Sequence, residues 1–313
     1  MMLYILPTNP FSIIKVSDDI ATVLGGKVIK GFFNPHKLEG DVIIVGNPDA
    51  HARLLYDSIK DNNKIKNIVM YLVCEGILDI NQVSWLRNIK GYLIKPSNYV
   101  KEKFEHAGID VTDVIPHGVS IFGSVKDKEN IFGYVSGYQK RKYPDYLNPQ
   151  FYSFIRNIDF RIITTSNNPY ARYFYKTIYG DYKLGYDDII RFYNSINFYV
   201  NLSDSEGFGL TVLEAMAMGN VVILPSLPVF REFYEYYTVM YFSITNKRYY
   251  EPFSFEHIEH FEYDVNDLLN KMLEALNMDD SEYKKMSKYS IEFAKNYSIT
   301  NTYTKFSKYL GSG

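Results

Sequence analysis

Short runs of apolar residues alternate along the chain with longer stretches in which apolar positions recur at helical spacing. Most of the short runs are continuously apolar, which predicts strands of parallel sheets that are covered on both faces. In the N-terminal part of the chain the predicted strands are residues 3–6, 27–33, 41–46, 65–73, 91–97 and 111–118. The stretches between them predict helices, among them residues 49–60 and 98–108. Ser97 is the expected N-cap of the second helix, and Gly108 is expected just after its end.

A polar stretch at residues 124–130 interrupts this pattern, which then starts again. In the second part the predicted strands are residues 131–137, 159–166, 197–203 and 220–226. Predicted helices cover residues 186–196 and 210–219, and the last segment, residues 281–310, is strongly helical. Two halves of alternating strands and helices predict an α/β fold with two doubly wound domains. In such a fold a ligand binds at the carboxyl ends of the strands.

Composition narrows the classes of function that the chain can serve. Its 313 residues suffice for two domains, 46% of them are apolar, and the net charge of −2 gives no reason to expect nucleic acid as a partner. The single cysteine, Cys74, stands in an apolar run, which excludes a disulfide framework and fits a reducing compartment. Neither a secretory signal nor an apolar run of membrane-spanning length is visible, so we predict a cytoplasmic protein.

A basic stretch at residues 60–67 bears on membrane contact. It is most simply a solvated loop. The alternative is that a basic face of the first domain meets anionic lipid headgroups, which would make the protein peripheral to the membrane.

The most informative stretch is SDSEGFGLTVLEAMAMGN, at residues 203–220. It places a glycine-rich loop after a predicted strand and before a predicted helix. Gly207 and Gly209 would let the backbone approach a ligand closely. The backbone amides from Phe208 to Thr211 would then point towards that ligand. A helix start of this kind suits a phosphate or diphosphate group.

Two glutamates, Glu206 and Glu214, stand eight residues apart around this anion site. Glu214, expected in the first turn of the helix, would repel a phosphate. We therefore expect it to bind two neighbouring hydroxyls, such as those of a ribose. Glu206, in the loop before the helix, would accept hydrogen bonds from a second polyol. The pattern predicts a ligand made of a sugar, a diphosphate and a nucleoside.

Glu206 and Glu214 form an E-x7-E motif, and residues 184–226 around them resemble retaining nucleotide-sugar glycosyltransferases of family four, which have the GT-B fold. Residues 95–120 are similar to the segment that closes the first domain of that family, and residues 132–144 to the strand and basic turn that open the second. The resemblance implies an α/β fold with two Rossmann-like doubly wound domains facing across a cleft, the N-terminal one short. The implied domains are residues 1–120 on the acceptor side, residues 121–295 for the nucleotide sugar, and residues 296–313 as a C-terminal helix packing back towards the N-terminal domain.

The resemblance also implies roles for individual residues. Glu206 would hold hydroxyls of the donor sugar, and Glu214 would hold the ribose. The loop that contacts the sugar and the phosphates would comprise Gly207, Phe208, Gly209, Leu210 and Thr211. Arg141 and Lys142 match the family's basic pair, which neutralises the diphosphate leaving group in place of a metal. Because the sequence has no D-x-D element, we expect neither a metal nor any cofactor besides the donor.

Five other positions complete the set of candidates. Glu75, at the end of a predicted strand, is the candidate for contact with the donor sugar or the acceptor hydroxyl; alternatively it belongs to the N-cap region of a helix. His117 replaces the family's common asparagine and is interpreted as a turn residue on the donor side rather than a proton carrier. Leu184 and Tyr186 are candidates for contact with the nucleotide base. Tyr138 takes the place of the family's usual arginine.

The activity implied is retaining transfer of a hexose from a nucleoside-diphosphate sugar to an unidentified acceptor hydroxyl of a lipid, glycan or protein. The leaving diphosphate can take the acceptor proton, so no protein nucleophile is required. Two alternatives stay open, and the absence of the family's early glycine-rich loop together with the short first domain favours the first of them. A non-catalytic nucleotide-sugar-binding module would bind a donor without turnover. A sugar-nucleotide epimerase of the same fold would act on the donor without an acceptor.

Overall fold

The chain divides into two compact units in the computed structural model, which describes residues 2–8, 11–137, 139–147, 149–180, 184–235 and 237–311. Unit 1 comprises Met1–Ser120, Tyr250–Glu259 and Tyr297–Gly313, and unit 2 comprises Ile121–Tyr249 and His260–Asn296. Each unit contains a parallel sheet, and the predicted α/β class is confirmed.

Unit 1 is built on a six-stranded parallel sheet with the strand order β2-β1-β3-β4-β6-β7. The strands of residues 1–120 are β1 (Leu3–Pro7), β2 (Lys27–Val28), β3 (Gly40–Gly46), β4 (Ile65–Leu72), β5 (Gly76–Leu78), β6 (Tyr92–Lys95) and β7 (Asp113–Val114). The α-helices there are α1 (Phe11–Leu24), α2 (Ala50–Ile59), α3 (Ile80–Val83) and α4 (Asn98–His106). Strands β1 and β3 are buried along their whole length, as their continuously apolar sequences predict.

The capping residues of α4 are those that the sequence predicts. The Ser97 hydroxyl accepts a hydrogen bond from the backbone N–H of Val100 at 3.1 Å. Gly108 follows the C-cap with φ of +69°, the left-handed conformation in which glycine is favoured.

Two predicted strands are much shorter than expected. The run at residues 27–33 contributes only β2, because Gly31 turns the chain with φ of +82° and a 3-10 helix follows at Pro35–Lys37. The run at residues 111–118 contributes only β7, since Pro116 has no backbone N–H to extend the pairing.

Unit 2 has a six-stranded parallel sheet in the order β10-β9-β8-β11-β12-β13. Its strands are β8 (Ile131–Val135), β9 (Asp159–Thr164), β10 (Lys176–Tyr179), β11 (Phe198–Val200), β12 (Val221–Pro225) and β13 (Val239–Phe242). Its α-helices are α5 (Pro149–Ile155), α6 (Tyr186–Asn194), α7 (Leu210–Ala217), α8 (Pro228–Phe233), α9 (Val265–Asn277) and α10 (Asp280–Asn296). This is a doubly wound order, and it reverses between β8 and β11, where such sheets bind ligands.

A β-hairpin that the sequence analysis did not predict follows β13. Its strands are β14 (Ile244–Phe253) and β15 (Glu256–Tyr263), with Ser254 in the turn at φ of +40°. Residues Glu256 to Ile258 pair antiparallel with β5 inside unit 1. The remainder of β15, from His260, belongs to unit 2.

The C-terminal segment contains two short helical elements where one helix was predicted. They are α11 (Ile299–Tyr303) and a 3-10 helix at Thr304–Tyr309, and both belong to unit 1. The Tyr303 hydroxyl accepts a hydrogen bond from the backbone N–H of Gly118 at 2.9 Å. The Phe306 ring packs edge-on against Tyr71, with centroids 5.1 Å apart. These contacts attach the segment to the end of the first sheet.

Candidate functional site

The loops that follow β8 and β11 meet at the point where the strand order of unit 2 reverses. A 3-10 helix at Lys140–Lys142 follows β8, and the loop of Glu206 follows β11. The backbone carbonyl of Arg141 accepts a hydrogen bond from the N–H of Asp204 at 3.0 Å. The Arg141 guanidinium donates to the Ser205 carbonyl at 2.8 Å. Because β8 and β11 are neighbours, residues far apart in sequence are held together here.

Glu206 forms a buried ionic cluster with Arg141 and Lys142, which we call the cation–carboxylate cluster. The Glu206 side chain is only 7% exposed. Its Oε2 lies 3.6 Å from Arg141 Nη1, and its Oε1 is ion-paired with Lys142 Nζ. Burial opposes ionisation of Glu206, but the charges of Lys142 and Arg141 outweigh it and hold the pKa of this carboxyl below its ordinary value. The cluster therefore holds a carboxylate between two cations.

The start of α7 depends on Gly209. Its φ of +87° is left-handed, and a Cβ there would lie 2.4 Å from Cε1 of Phe230. Phe208 is buried, with its ring packed against Phe233 at 4.9 Å between centroids. The helix begins at Leu210, as predicted, directly after the loop that carries Glu206. A helix start favours an anion because of its dipole and its amides.

Glu214 lies in the second turn of α7, so its prediction in the first turn is wrong. With the helix starting at Leu210, Glu214 is its fifth residue and lies beyond a first turn of about 3.6 residues. The carboxylate is 5% exposed and accepts two tyrosine hydroxyls. Tyr186 donates to Oε1 at 2.9 Å, and Tyr193 donates to Oε2 at 3.1 Å. Tyr186, predicted beside the base, is thus brought to Glu214 itself.

Tyr199 is a buried tyrosine on which the charges of both Glu206 and Glu214 act. Its side chain is fully buried in β11. Burial and the charges of the nearby Glu206 and Glu214 raise its pKa above the ordinary value, although hydrogen bonding to Thr211 opposes them. The charges of both glutamates of the motif therefore act on one buried tyrosine.

Asp204 is the centre of a network that the sequence analysis missed. It is fully buried and accepts hydrogen bonds from His260 Nδ1 at 2.8 Å and from the Tyr249 hydroxyl at 3.1 Å. The ring of Tyr249 stacks on His260 with centroids 4.2 Å apart. These partners stand 45 and 56 residues from Asp204, on the hairpin, so no local spacing signals them.

Glu75 belongs to unit 1, in the turn after β4, and is partly buried. The backbone N–H groups of Glu75 and Gly76 both donate to Oε2 of Glu256, each at 2.7 Å. The N-cap of the following helix α3 is Asp79, whose side chain accepts from the N–H of Asn81. The alternative that Glu75 serves that helix cap is therefore wrong.

His117 is buried in unit 1 against Tyr71. Its Nδ1 lies 2.9 Å from the Tyr71 hydroxyl, which itself donates to the carbonyl of Ile115 at 2.7 Å. Because the Tyr71 hydroxyl proton is used in the bond to Ile115, His117 Nδ1 must donate to the Tyr71 hydroxyl oxygen. Burial lowers the pKa of His117 to about 3, so the imidazole is neutral near pH 7. These contacts favour the interpretation of His117 as a turn residue.

The other predicted positions add little to the site. Gly207 is buried, Leu210 and Thr211 are partly exposed, and Leu184 is partly buried beside Gly180. Tyr138 lies outside the described residues. Among the residues that the structure describes, no group of three or more His, Cys, Asp or Glu side chains could hold a metal ion. In the same residues no helix is long and apolar enough to span a bilayer.

Comparison with known proteins adds a sequence match over the same region. Residues 129–239 match the family Glycosyl transferases group 1, and this span includes the cation–carboxylate cluster and Glu214. The chain is 28% identical to "Uncharacterized glycosyltransferase 335" of Sulfolobus islandicus rod-shaped virus 1, over 96% of this chain and 98% of that protein.

Solved structures of glycosyltransferases share the fold. Anabaena HepE, in complex with UDP and glucose, has a TM-score of 0.70 at 12% identity, over 98% of this chain and 99% of that one. TarM of S. aureus has a TM-score of 0.64 at 15% identity over 87% of this chain, which spans only 55% of the length of TarM. The α/β fold is therefore that of the GT-B glycosyltransferases, and the comparisons together support a glycosyltransferase.

Proposed function

We propose that the protein is a retaining glycosyltransferase that moves a hexose from a nucleoside-diphosphate sugar to an acceptor hydroxyl without a metal. The observation that carries this proposal is the cation–carboxylate cluster at the reversal of strand order, beside the start of α7. Breaking the bond between sugar and phosphate places negative charge on the leaving diphosphate. Fixed cations in a largely buried site stabilise that charge as it develops.

The cluster has more positive than negative charge. Of the three side chains that define the cluster, Arg141 and Lys142 are cations and Glu206 is a carboxylate, so the cluster itself carries a net positive charge that attracts an anion. Glu206 stays ionised between them and accepts hydrogen bonds from hydroxyls of the donor sugar. The diphosphate lies at the start of α7, where the helix dipole adds to the attraction.

Glu214 binds the ribose of the nucleotide in this proposal. The Tyr193 hydroxyl holds one carboxylate oxygen from a fully buried position. The Tyr186 hydroxyl, on a partly exposed side chain, holds the other. Ribose hydroxyls compete with Tyr186 for Oε1, while Tyr193 keeps the carboxylate oriented. Leu184, next in the chain to this region, contacts the base.

Transfer proceeds on one face of the sugar. The bond from the anomeric carbon to the diphosphate oxygen breaks, and the acceptor oxygen bonds to the same face. The acceptor proton goes to the leaving diphosphate, so no protein nucleophile takes part. Glu75 contacts the donor sugar or the acceptor hydroxyl, and His117 remains neutral. The acceptor is a hydroxyl of a lipid, glycan or protein.

A donor screen tests the proposal. The purified protein is incubated with UDP-, GDP- and ADP-sugars, without acceptor and with EDTA. Released nucleoside diphosphate is measured beside binding by titration calorimetry. UDP-glucose comes first, because HepE is seen in complex with it. We expect binding and slow release with one donor, both weakened in Glu214→Ala. NMR of the glycoside that forms once an acceptor is added then reports whether the anomeric configuration is retained.

Each of the other functions has its own outcome in the same screen. Tight binding with no release from any donor would identify a non-catalytic binding module. Conversion of the donor into its epimer, without release of the diphosphate, would identify an epimerase. Absence of binding to every donor would contradict the site built on Glu206 and Glu214.

A further inference from the structure

The β14–β15 hairpin makes specific polar contacts at both of its ends. Its tip, Tyr250–Glu259, belongs to unit 1, and its base belongs to unit 2. Each end contacts a turn that carries one of the two acids predicted to contact substrate, Glu75 and Glu206, which we call the predicted catalytic acids. Buried acidic and basic side chains of the hairpin make these contacts.

At the tip, Glu256 holds the turn of Glu75. Its Oε2 accepts the N–H groups of Glu75 and Gly76, each at 2.7 Å, and the side chain is only 4% exposed. A Cβ on Gly76 would lie 1.9 Å from the His257 carbonyl oxygen, so the turn packs against the backbone of β15 too closely for any side chain at this position. Two hydrogen bonds to consecutive amides fix the direction of the peptide from which the Glu75 side chain leaves.

A second acid secures the same part of the hairpin. Glu259 is 4% exposed and is paired with Lys103 of α4 at 2.5 Å. It also accepts the hydroxyl of Tyr99 at 3.2 Å and that of Tyr250 at 3.3 Å. The position of Glu256 is therefore fixed by contacts with α4 as well as by the strand pairing with β5.

At the base, the hairpin holds the loop of Glu206. Asp204, two residues before Glu206, accepts His260 Nδ1 at 2.8 Å and the Tyr249 hydroxyl at 3.1 Å. Its carbonyl accepts the backbone N–H of Phe261 at 2.9 Å. Side-chain and main-chain contacts together attach the loop to β15.

We propose that the β14–β15 hairpin is a positioning element for both predicted catalytic acids, with Glu256 orienting Glu75 in unit 1 and His260 orienting the loop of Glu206 in unit 2. The inference rests on the proposed function, which assigns those acids their roles. Apolar side chains would attach a hairpin without the desolvation cost of buried charge. Buried charges that bond to a catalytic turn instead specify its orientation.

The test at the tip compares Glu256→Ala, Glu256→Gln, Glu75→Ala and the double variant Glu256→Ala/Glu75→Ala. Glu102→Ala, an exposed glutamate of α4, is the matched control. The donor is the one found in the screen. We expect Glu256→Ala to slow diphosphate release about 10- to 100-fold, the scale of a misplaced reacting group, with donor affinity unchanged within about twofold. Glu256→Gln keeps an acceptor oxygen and recovers part of the rate.

The double variant separates positioning from general stability. If Glu256 acts through Glu75, the double variant releases diphosphate as slowly as Glu75→Ala alone and no slower. A double variant that releases diphosphate more slowly than Glu75→Ala would mean that Glu256 does not act through Glu75, and would overturn the inference. An unchanged rate in Glu256→Ala would overturn it as well. Thermal unfolding of each variant identifies any loss of rate that comes from misfolding. If Glu256→Ala does not fold, the rate of Glu256→Gln, measured on the folded protein, tests the inference instead.

The base of the hairpin has a parallel test. His260→Ala removes the hydrogen bond to Asp204, whereas His260→Asn keeps a donor near the place of Nδ1. We expect about tenfold slower release in the first variant and partial recovery in the second. The double variant His260→Ala/Glu206→Gln should be no slower than Glu206→Gln alone. Equal losses in the alanine and asparagine variants would overturn this part.

Failure of the hairpin inference is distinguishable from failure of the proposed function. If the wild-type protein neither binds nor hydrolyses any donor, the proposed function is wrong, and the hairpin inference that rests on it is wrong too. If the wild-type protein releases diphosphate and neither Glu256→Ala nor His260→Ala changes the rate, only the hairpin inference is wrong.

Discussion

The carboxylate of Glu214 is oriented by two tyrosines that differ in exposure. Tyr193 is fully buried and bonds to one oxygen, while Tyr186 is partly exposed and bonds to the other. The two tyrosines stand seven residues apart on α6, two helical turns, so they share one face. That spacing is a signal from which Tyr193 could have been predicted once Tyr186 was a candidate.

Loss of the Tyr193 hydroxyl should weaken nucleotide binding. In Tyr193→Phe, Oε2 of Glu214 loses its buried donor, which costs about 1–3 kcal/mol of stability and leaves the carboxylate less well oriented. We expect nucleoside-diphosphate affinity to fall about 5- to 10-fold by calorimetry. Tyr175→Phe, at an exposed tyrosine of unit 2, is the control and should bind as the wild type does. Equal affinity in Tyr193→Phe would show that this tyrosine does not orient Glu214.

The pH dependence of stability should reveal the cation–carboxylate cluster. The pKa of Glu206 lies below its ordinary value, so the cluster stabilises the fold above that ordinary value. The contribution disappears as the pH falls through the lowered pKa. Lys142→Met removes the strongest attraction, and burial then raises the pKa of Glu206. The loss of stability should therefore begin at a higher pH in the variant.

Thermal unfolding between about pH 7 and about pH 3 measures this shift. Lys288→Met is the control, because Lys288 is an exposed lysine that pairs with Glu292 at the surface, at 3.8 Å. Superimposable profiles for wild type and Lys142→Met would contradict the account of the cluster.

At the scale of elements, the start of α7 is specified by one glycine. Gly209→Ala forces an L-residue into a left-handed conformation at φ of +87° and places a Cβ 2.4 Å from the Phe230 ring. We expect a loss of stability of at least about 1–2 kcal/mol and weaker donor binding, because the helix start shifts. Gly185→Ala is the control for stability, since Gly185 is extended at φ of −78° and the nearest atom to its Cβ would lie 3.7 Å away. A Gly209→Ala protein as stable as Gly185→Ala would show that α7 does not need this conformation.

The elements that the sequence predicts well are those whose patterns are local. The α4 helix is capped by Ser97, and α7 begins at Leu210, because capping residues and glycines act within one turn. Continuous apolar runs located β3 and β4 because both strands are central in their sheet. The edge strands β2 and β7 are shorter than their apolar runs predict, because Gly31 turns the chain after β2 and Pro116 lacks the N–H that would extend β7.

The hairpin escaped prediction because several buried positions of β15 carry polar residues. Glu256, Glu259 and His260 are buried in β15, where an apolar pattern would signal a strand. Their partners, Glu75, Lys103 and Asp204, lie far away in the sequence. The resemblance indicated Glu206, Arg141 and Lys142 as separate candidates, but the fold was needed to show that both cations pair with Glu206.

At the scale of the whole molecule, the proposed chemistry needs no metal. In the proposed function, the cations of the cation–carboxylate cluster take the place of a metal at the leaving diphosphate. We expect the rate of diphosphate release to agree within about twofold in EDTA and in Mg²⁺, since both cations remain. Assays in EDTA, followed by addition of Mg²⁺ in excess, measure this. A rate that is abolished by EDTA and restored by Mg²⁺ would contradict this part of the proposal.

The central claim is that unit 2 binds a nucleoside diphosphate through Glu214, and titration calorimetry with Glu214→Gln tests it most directly. The matched control is Glu292→Gln, an exposed glutamate of α10. We predict that the wild type and the control bind the nucleoside diphosphate of the active donor with the same affinity. Glu214→Gln should bind at least about tenfold more weakly, a loss of about 1.4 kcal/mol. Equal affinity in all three proteins, or no binding by the wild type, would contradict the account.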